Sequence, residues 1–151
     1  MLKSIPAGKK QKIIMHKVVI DTNIAVSALL SPSGHSAHII DRIFQNDLTP
    51  YFSSAILDEY TSILARSKFG FATSDQLHFI EGIKKYGLAC IPTPSAVSFS
   101  DESDRVFYEV AKAADAYLIT GNIKHFPSEP WIVLPSKYVG LFPTLRNISI
   151  P

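Results

Sequence analysis

KVVIDTNIAVSALL, residues 17–30, is the stretch that decides the fold. Lys17–Ile20 is β-branched and does not alternate, the pattern of a short strand covered on both faces. Asp21-Thr22-Asn23 then leads into a helical pattern over Ile24–Leu30. A doubly covered strand feeding straight into a helix opens a parallel crossover unit. An acid directly after such a strand must be solvated, capped or paired. Asp21 is therefore either a helix N-cap or a metal ligand at the strand's C-terminal end. Asn23 either caps or orients Asp21, and Thr22 and Ser27 offer hydroxyls nearby.

Working outward, Ser31-Pro32-Ser33-Gly34 is a turn cluster. Ser36 is placed to cap a helix through about Asn46, with Ile39, Ile40, Ile43 and Phe44 on its apolar side. Pro50–Ser53 reads as a strand, and Ser54 as the cap of a helix over Ala55–Arg66. A further helix runs from a Ser74 cap to Tyr86 and ends at Gly87. Leu88–Ile91 is a strand stopped by Pro92 and Pro94, and Val97–Ser103 is a loop. Asp104–Ala114 is helical, Ala116–Thr120 is a strand, and Gly121-Asn122 turns the chain. Trp131–Leu134 is a last strand, and Pro135-Ser136 starts a short helix. Strands alternating with helices predict an α/β fold around a parallel sheet.

The length of 151 residues suits a single domain with its own core. With 46% hydrophobic and 19% charged residues the composition is globular rather than disordered. A net charge of +2 is too small to argue for nucleic acid by itself, although a carboxylate site would mask positive patches in that sum. The single Cys90 excludes an internal disulfide and the cysteine-rich zinc patterns, and its apolar run predicts a buried reduced thiol. No segment approaches the ~18 apolar residues of a membrane span, and Ile13-Ile14-Met15 is too short for a signal peptide. The expectation is a soluble cytoplasmic protein with a loose arm over residues 1–16, a domain over 17–142 and a tail over 143–151. Met15 is a candidate second start.

Four polar residues stand beside elements that read as buried: Asp21, Glu59, Asp104 and Asn122. In an open α/β sheet the strand ends and the helices beside them meet at one edge, where ligand crevices form. Acids gathered there repel unless a cation neutralises them, which points to Mg²⁺ or Mn²⁺ and to phosphodiester chemistry. Helical periodicity separates Glu59 from its neighbour. At about 100° per residue, Glu59 lies about 100° from the centre of the apolar face and Asp58 about 160°. Asp104 lies about 90° from the centre of the Val106, Phe107, Val110, Ala111, Ala114 face, and Asp101 about 150°. Alternatives stand beside each reading: an ion-paired boundary carboxylate for Glu59, dipole compensation in a first helical turn for Asp104, and an ordinary turn for Gly121-Asn122. Asp101 is a possible accessory ligand, Thr120 could add a hydroxyl, and Asp115 reads as structural. The histidines form no metal-pair spacing, and no Walker or GxGxxG loop is present. His125 reads as a surface or packing residue. Arg66, Lys68, Lys84, Lys85 and Lys124 are candidate phosphate contacts.

These residues carry a resemblance. VVIDTNIAVSALL at 18–30, SSAILDEYTSIL at 53–64, SDESDRVFYEVAKAADAYLITGNIKHF at 100–126 and WIVLPSKYVGLF at 131–142 together resemble a PIN domain of the toxin–antitoxin kind. The resemblance implies a three-layer α/β/α fold with a central parallel sheet and a metal-dependent endoribonuclease acting on RNA. It implies an acidic site of Asp21, Glu59 and Asp104, with Asn122 where many members carry another Asp. It also implies Mg²⁺ or Mn²⁺, which needs few carboxylates because it keeps several waters. A homodimer and a cognate antitoxin are implied partners. Asn122 removes one negative charge, so a single metal is expected and a second would need substrate phosphate.

Two other chemistries fit less well. A haloacid-dehalogenase-type phosphatase would want an Asp where the chain has Asn23, and a receiver domain would want an acidic pair that is missing. A binding module for RNA or protein with little catalysis is the main alternative, and Asn122 is the feature that favours it.

Overall fold

In the computed structural model, which describes residues 16–143, strand β1 (Lys17–Ile20) lies at the centre of a five-stranded sheet of order β3-β2-β1-β4-β5. The other strands are β2 (Thr49–Phe52), β3 (Leu88–Ala89), β4 (Tyr117–Ile119) and β5 (Ile132–Val133), and every pairing is parallel. Val18, Val19 and Ile20 are fully buried, as their unalternating apolar pattern requires. Helices α1 (Thr22–Leu30), α2 (His35–Phe44), α3 (Ser54–Leu64), α4 (Thr73–Tyr86), α5 (Arg105–Ala114) and α6 (Pro135–Leu141) complete a three-layer α/β/α fold.

The chain steps from β1 to β2 to β3 in one direction, then returns across the sheet to β4 and continues to β5. Right-handed crossovers put the helices of the outward steps and the helix of the return step on opposite faces. The order reverses between β1 and β4, and the crevice at such a switch point lies beyond the strands' carboxyl ends. Val18, Val19 and Ile20 pair with Tyr117, Leu118 and Ile119, so both strands finish level. The backbone N–H of Asp21 extends the ladder to the Ile119 carbonyl at 3.0 Å.

Several local expectations are corrected. Ser36 is a buried residue inside α2, whose N-cap is Gly34 without a side-chain bond. Ser53, not Ser54, caps α3, its hydroxyl accepting from the Ile56 N–H at 3.3 Å. Ser74 lies within α4, which begins after Ala72. In each case a serine one or two residues past the observed N-cap offers the same local signal, and backbone entry geometry selects the cap. The expected strand Leu88–Ile91 is only two residues long and stands at the sheet edge, with Ile91 89% exposed. Cys90 is consequently half-buried rather than buried, because an edge position leaves one flank open. Gly87 does end α4. A side chain there would overlap the carbonyl oxygens of Pro50 and Ile83, so glycine lets the helix end press against β2. The expected arm over 1–16 lies outside the described residues except for His16, and so does the tail over 143–151 except for Pro143. No helix among the described residues is long and apolar enough to cross a membrane.

Candidate active site

Asp21 sits at the switch point and is only 5% exposed. The cap that the sequence offered is present, and the carboxylate is buried. Its Oδ1 accepts from the Thr22 N–H at 2.8 Å, which caps α1. Its Oδ2 accepts from the Thr120 hydroxyl at 2.7 Å and from the Asn23 amide at 3.1 Å. Asn23 in turn accepts from the Gly121 N–H at 3.0 Å, and Thr120 Oγ1 accepts from the Asn122 N–H at 2.9 Å. The end of β4 is thereby tied to the end of β1 through side chains. Burial raises the Asp21 pKa, and the bonds from Thr120, Thr22 and Asn23 oppose that rise.

Glu59 is positioned by its neighbour. Tyr60 is fully buried against Phe79 and Phe107, and its hydroxyl donates to the Ile20 carbonyl at 2.6 Å. That bond anchors α3 to the last residue of β1, one position before Asp21. Glu59 is half-buried while Asp58 is exposed, as the helical angles predicted. Its pKa is raised, first by burial and then by Asp101 and Asp21, with Arg66 opposing.

Asp104 ends a single 3₁₀ turn, Glu102–Asp104, and is the residue before α5. Its side chain makes no capping bond, although it stands at the N-terminus of that helix. Asp101 does cap, accepting from the Ser103 N–H at 3.0 Å and the Ser103 hydroxyl at 2.7 Å. Arg105 pins the preceding loop by donating to the Ser95 and Val97 carbonyls at 2.7 and 2.8 Å. Asp104 Oδ2 is buried with no hydrogen-bond partner, and His125 Nδ1 stands 3.6 Å from it. Its pKa is pushed up to about 6 by burial, Asp21 and Asp101, with Glu59 adding and His125 opposing.

Asp21, Glu59 and Asp104 thus act on one another electrostatically near the end of β1. They do not close on a common point: among the described residues no three His, Cys, Asp or Glu side chains form a metal-holding group. Asn122 is brought to the same edge through its backbone, but its side chain is exposed and makes no hydrogen bond among the described residues. The candidate phosphate contacts separate. Arg66 acts on Glu59, Lys84 pairs with Glu81, and Lys68 and Lys85 lie over the rings of Phe69 and Tyr86. Asp115 is structural, closing α5 in the left-handed conformation at φ 56°.

Sequence reasoning missed the closeness of His125 to Asp104 and the anchoring bond of Tyr60. Nothing local signals either, because each joins residues distant in the chain.

The donor set suits a hard divalent cation. Its oxygens are carboxylates, the buried Asp104 Oδ2 lacks a hydrogen-bond partner, and neighbouring carboxylates raise the pKa values of Glu59 and Asp104. A cation would satisfy that orphaned atom and remove the repulsion.

An uncharacterized protein of Methanocaldococcus jannaschii, MJ1680, is 30% identical over 117 residues, covering 76% of each chain. No solved structure matches the chain. The family model for a PIN domain matches residues 17–124, which takes in Asp21, Glu59, Asp104 and Asn122. The chain therefore belongs to the PIN domain family, whose members are generally nucleases that use divalent metals.

Proposed function

We propose that the protein is a metal-dependent endoribonuclease that hydrolyses RNA phosphodiester bonds in the cytoplasm, as the toxin of a toxin–antitoxin pair. The observation that carries the nuclease reading is the buried, unpartnered Asp104 oxygen in a field of acids whose pKa values are raised. Asp21 and Asp104 would hold a Mg²⁺ or Mn²⁺ ion, with Glu59 and the Asn122 amide completing its surroundings. Bound there, the cation would neutralise phosphate charge and make water a stronger nucleophile.

The chain's own residues have distinct tasks. Thr120 and Asn23 hold the Asp21 carboxylate in one orientation, so that its position does not depend on the ligand. Glu59, half-exposed and raised in pKa, holds the attacking water and takes its proton. The water oxygen joins phosphorus, the bridging P–O bond breaks, and the leaving oxygen takes a proton. His125, exposed and 3.6 Å from Asp104 Oδ2, would lie close to a phosphate held at that carboxylate. A cognate antitoxin and a homodimer are the partners this reading carries. Membership of the PIN family supports the nuclease class, and the toxin role rests on resemblance.

The test is cleavage of a mixed panel of structured and single-stranded RNAs in Mn²⁺, Mg²⁺ or EDTA. Wild type is to be run beside Asp21→Asn and Asp104→Asn. Wild type cuts in metal and not in EDTA, and each variant loses at least about 100-fold in rate, the scale of removing one key electrostatic group. Cutting that survives in the variants would place the chemistry elsewhere. RNA binding without cutting by wild type would favour the binding-module reading, for which the exposed Asn122 is the structural argument.

A further inference from the structure

Away from the acidic site, two adjoining cavities of about 270 and 160 Å³ form a groove among α1, α2 and α4 and share Leu29, Ile40, Asp41 and Phe79. The first also takes in Phe44, which His78 covers with ring centroids 4.9 Å apart, and the second takes in Pro32. Leu29, Ile40 and Phe44 are only half-buried, so the floor is apolar and open. Asp41 and Asp75 stand exposed at the groove, and neither makes an ion pair among the described residues. No lysine or arginine lines either cavity among the described residues. An open apolar floor beside unpaired acids favours an occupant that is both apolar and cationic.

The chain itself carries such a segment ahead of its first strand. Residues 1–15 contain Lys3, Lys9, Lys10 and Lys12 and no acid, and Ile13-Ile14-Met15 follow the last lysine. Leaving out those four lysines turns the net charge of +2 into −2, so positive charge is concentrated in this segment. The segment joins the domain at His16, which is buried and whose carbonyl accepts from the Thr49 N–H at 2.8 Å. The His16 ring lies in the field of Asp47 and Arg42. Arg42 stands two residues before Phe44 in the last turn of α2, so the segment meets the domain beside the helix that lines the groove. Seven extended residues span up to about 25 Å. The ten residues of α2 measure about 15 Å, so residues 9–15 are long enough to pass its end and lie along it.

We propose that residues 9–15 of the chain's own N-terminal segment occupy the groove among α1, α2 and α4. Ile13, Ile14 and Met15 cover the floor of Leu29, Ile40 and Phe44, and Lys9, Lys10 and Lys12 meet Asp41 and Asp75. The short tether gives the segment a high effective concentration, so contacts that are weak one by one suffice. The groove is then closed by the chain itself, and any other molecule that docks there has to displace the segment. The cavities along β4 and β5 do not suit it, because Lys124 and Lys137 line them and repel lysines. None of the residues in this contact belongs to the acidic site, so the contact stands whether or not the protein cuts RNA.

The test is paramagnetic broadening of amide NMR signals in the full chain. A nitroxide is attached at Gln11→Cys, with Cys90→Ser removing the other thiol. Two variants are compared with this parent: Ile14→Asp, which changes only the segment, and Asp41→Lys combined with Asp75→Lys, both at exposed positions. In the parent, the signals of Leu29, Asp41, Phe44 and His78 are expected to lose intensity. Ile14→Asp is expected to restore them. The double reversal is expected to lower the ratio of bound to free segment about tenfold, the scale of two exposed ion pairs. Broadening that survives either change reports the tether alone and overturns the contact, as does an absence of broadening in the parent. Isotope-labelled chain without nitroxide, mixed with unlabelled chain that carries it, separates the two sources of the segment. Broadening in that mixture would place a second copy's segment in the groove and overturn the intramolecular contact.

Discussion

Asp104 shows what a single residue can carry. An aspartate that makes no capping bond, with one buried oxygen lacking a hydrogen bond and only His125 at 3.6 Å to oppose the cost, destabilises the fold when it is ionised. Its folded pKa is about 6, above the ordinary value of an unfolded aspartate. The native state therefore binds more protons than the unfolded state between about pH 4 and about pH 6. Without metal, stability falls as pH rises through that window and stays low above it. Asp104→Asn keeps the shape and removes the charge. It is expected to stabilise the metal-free protein by about 1–2 kcal/mol at pH 7.5, after allowance for partial solvent screening, and by almost nothing at pH 4. Urea unfolding in EDTA at the two pH values checks this. A variant less stable than wild type at pH 7.5 would mean that the carboxylate is better satisfied than its geometry indicates. Stability gained by deleting a charge would be a mark of a functional residue, held in place at a cost to the fold.

Among the elements, α3 and the end of α4 matter most to the site. Helix α3 is held by the Ser53 cap at one end and by the Tyr60 bond to Ile20 in its middle, so Glu59 reaches the strand end at a set height. Helix α4 packs against α3 and ends where Gly87 meets β2. Gly87→Ala would push a methyl into two backbone carbonyls that cannot rotate away. It is expected to cost about 1–3 kcal/mol, the usual range for overpacking, read as a lower midpoint in denaturant with an unchanged m-value. A neutral result would show that β2 and α4 separate without loss. The fold was largely legible at this scale. The strand at Lys17–Ile20 follows from a short unalternating β-branched run, the Gly87 stop from glycine at a helix end, and the helix faces and the burial of Glu59 over Asp58 from the period of 3.6 residues. The caps at Ser36, Ser54 and Ser74 were misplaced because serine marks a helix start only to within a turn.

For the molecule as a whole, the acids are a tension that a cation would relieve. Burial raises the pKa values of Asp21, Glu59 and Asp104, and neighbouring carboxylates add to the rise at Glu59 and Asp104, so a cation bound there is expected to favour the folded chain. Mg²⁺ or Mn²⁺ is expected to raise the thermal midpoint, by about 2.7 kcal/mol of added stability at a hundredfold excess over Kd. The increment should be larger at pH 7.5 than at pH 5, where protons compete for the same oxygens. Thermal scans with and without EDTA measure it, and Asp21→Asn should lose most of the response. A midpoint that ignores metal at both pH values would argue against a cation site at this edge.

The sequence alone determined the alternation of strands and helices, the parallel α/β class, the PIN resemblance and the acids at the carboxyl edge. Each is written in short periods and in neighbouring residues. Only the tertiary structure decided that Thr120 and Asn23 orient Asp21, that His125 stands beside Asp104, and that Asn122 turns its side chain to solvent. It also decided that β3 is an edge strand, which leaves Cys90 half-buried. The reason is the order of the sheet. Placing β4 beside β1 brings together residues about a hundred positions apart, as Thr120 and Asp21 are, and no local pattern records which strands become neighbours.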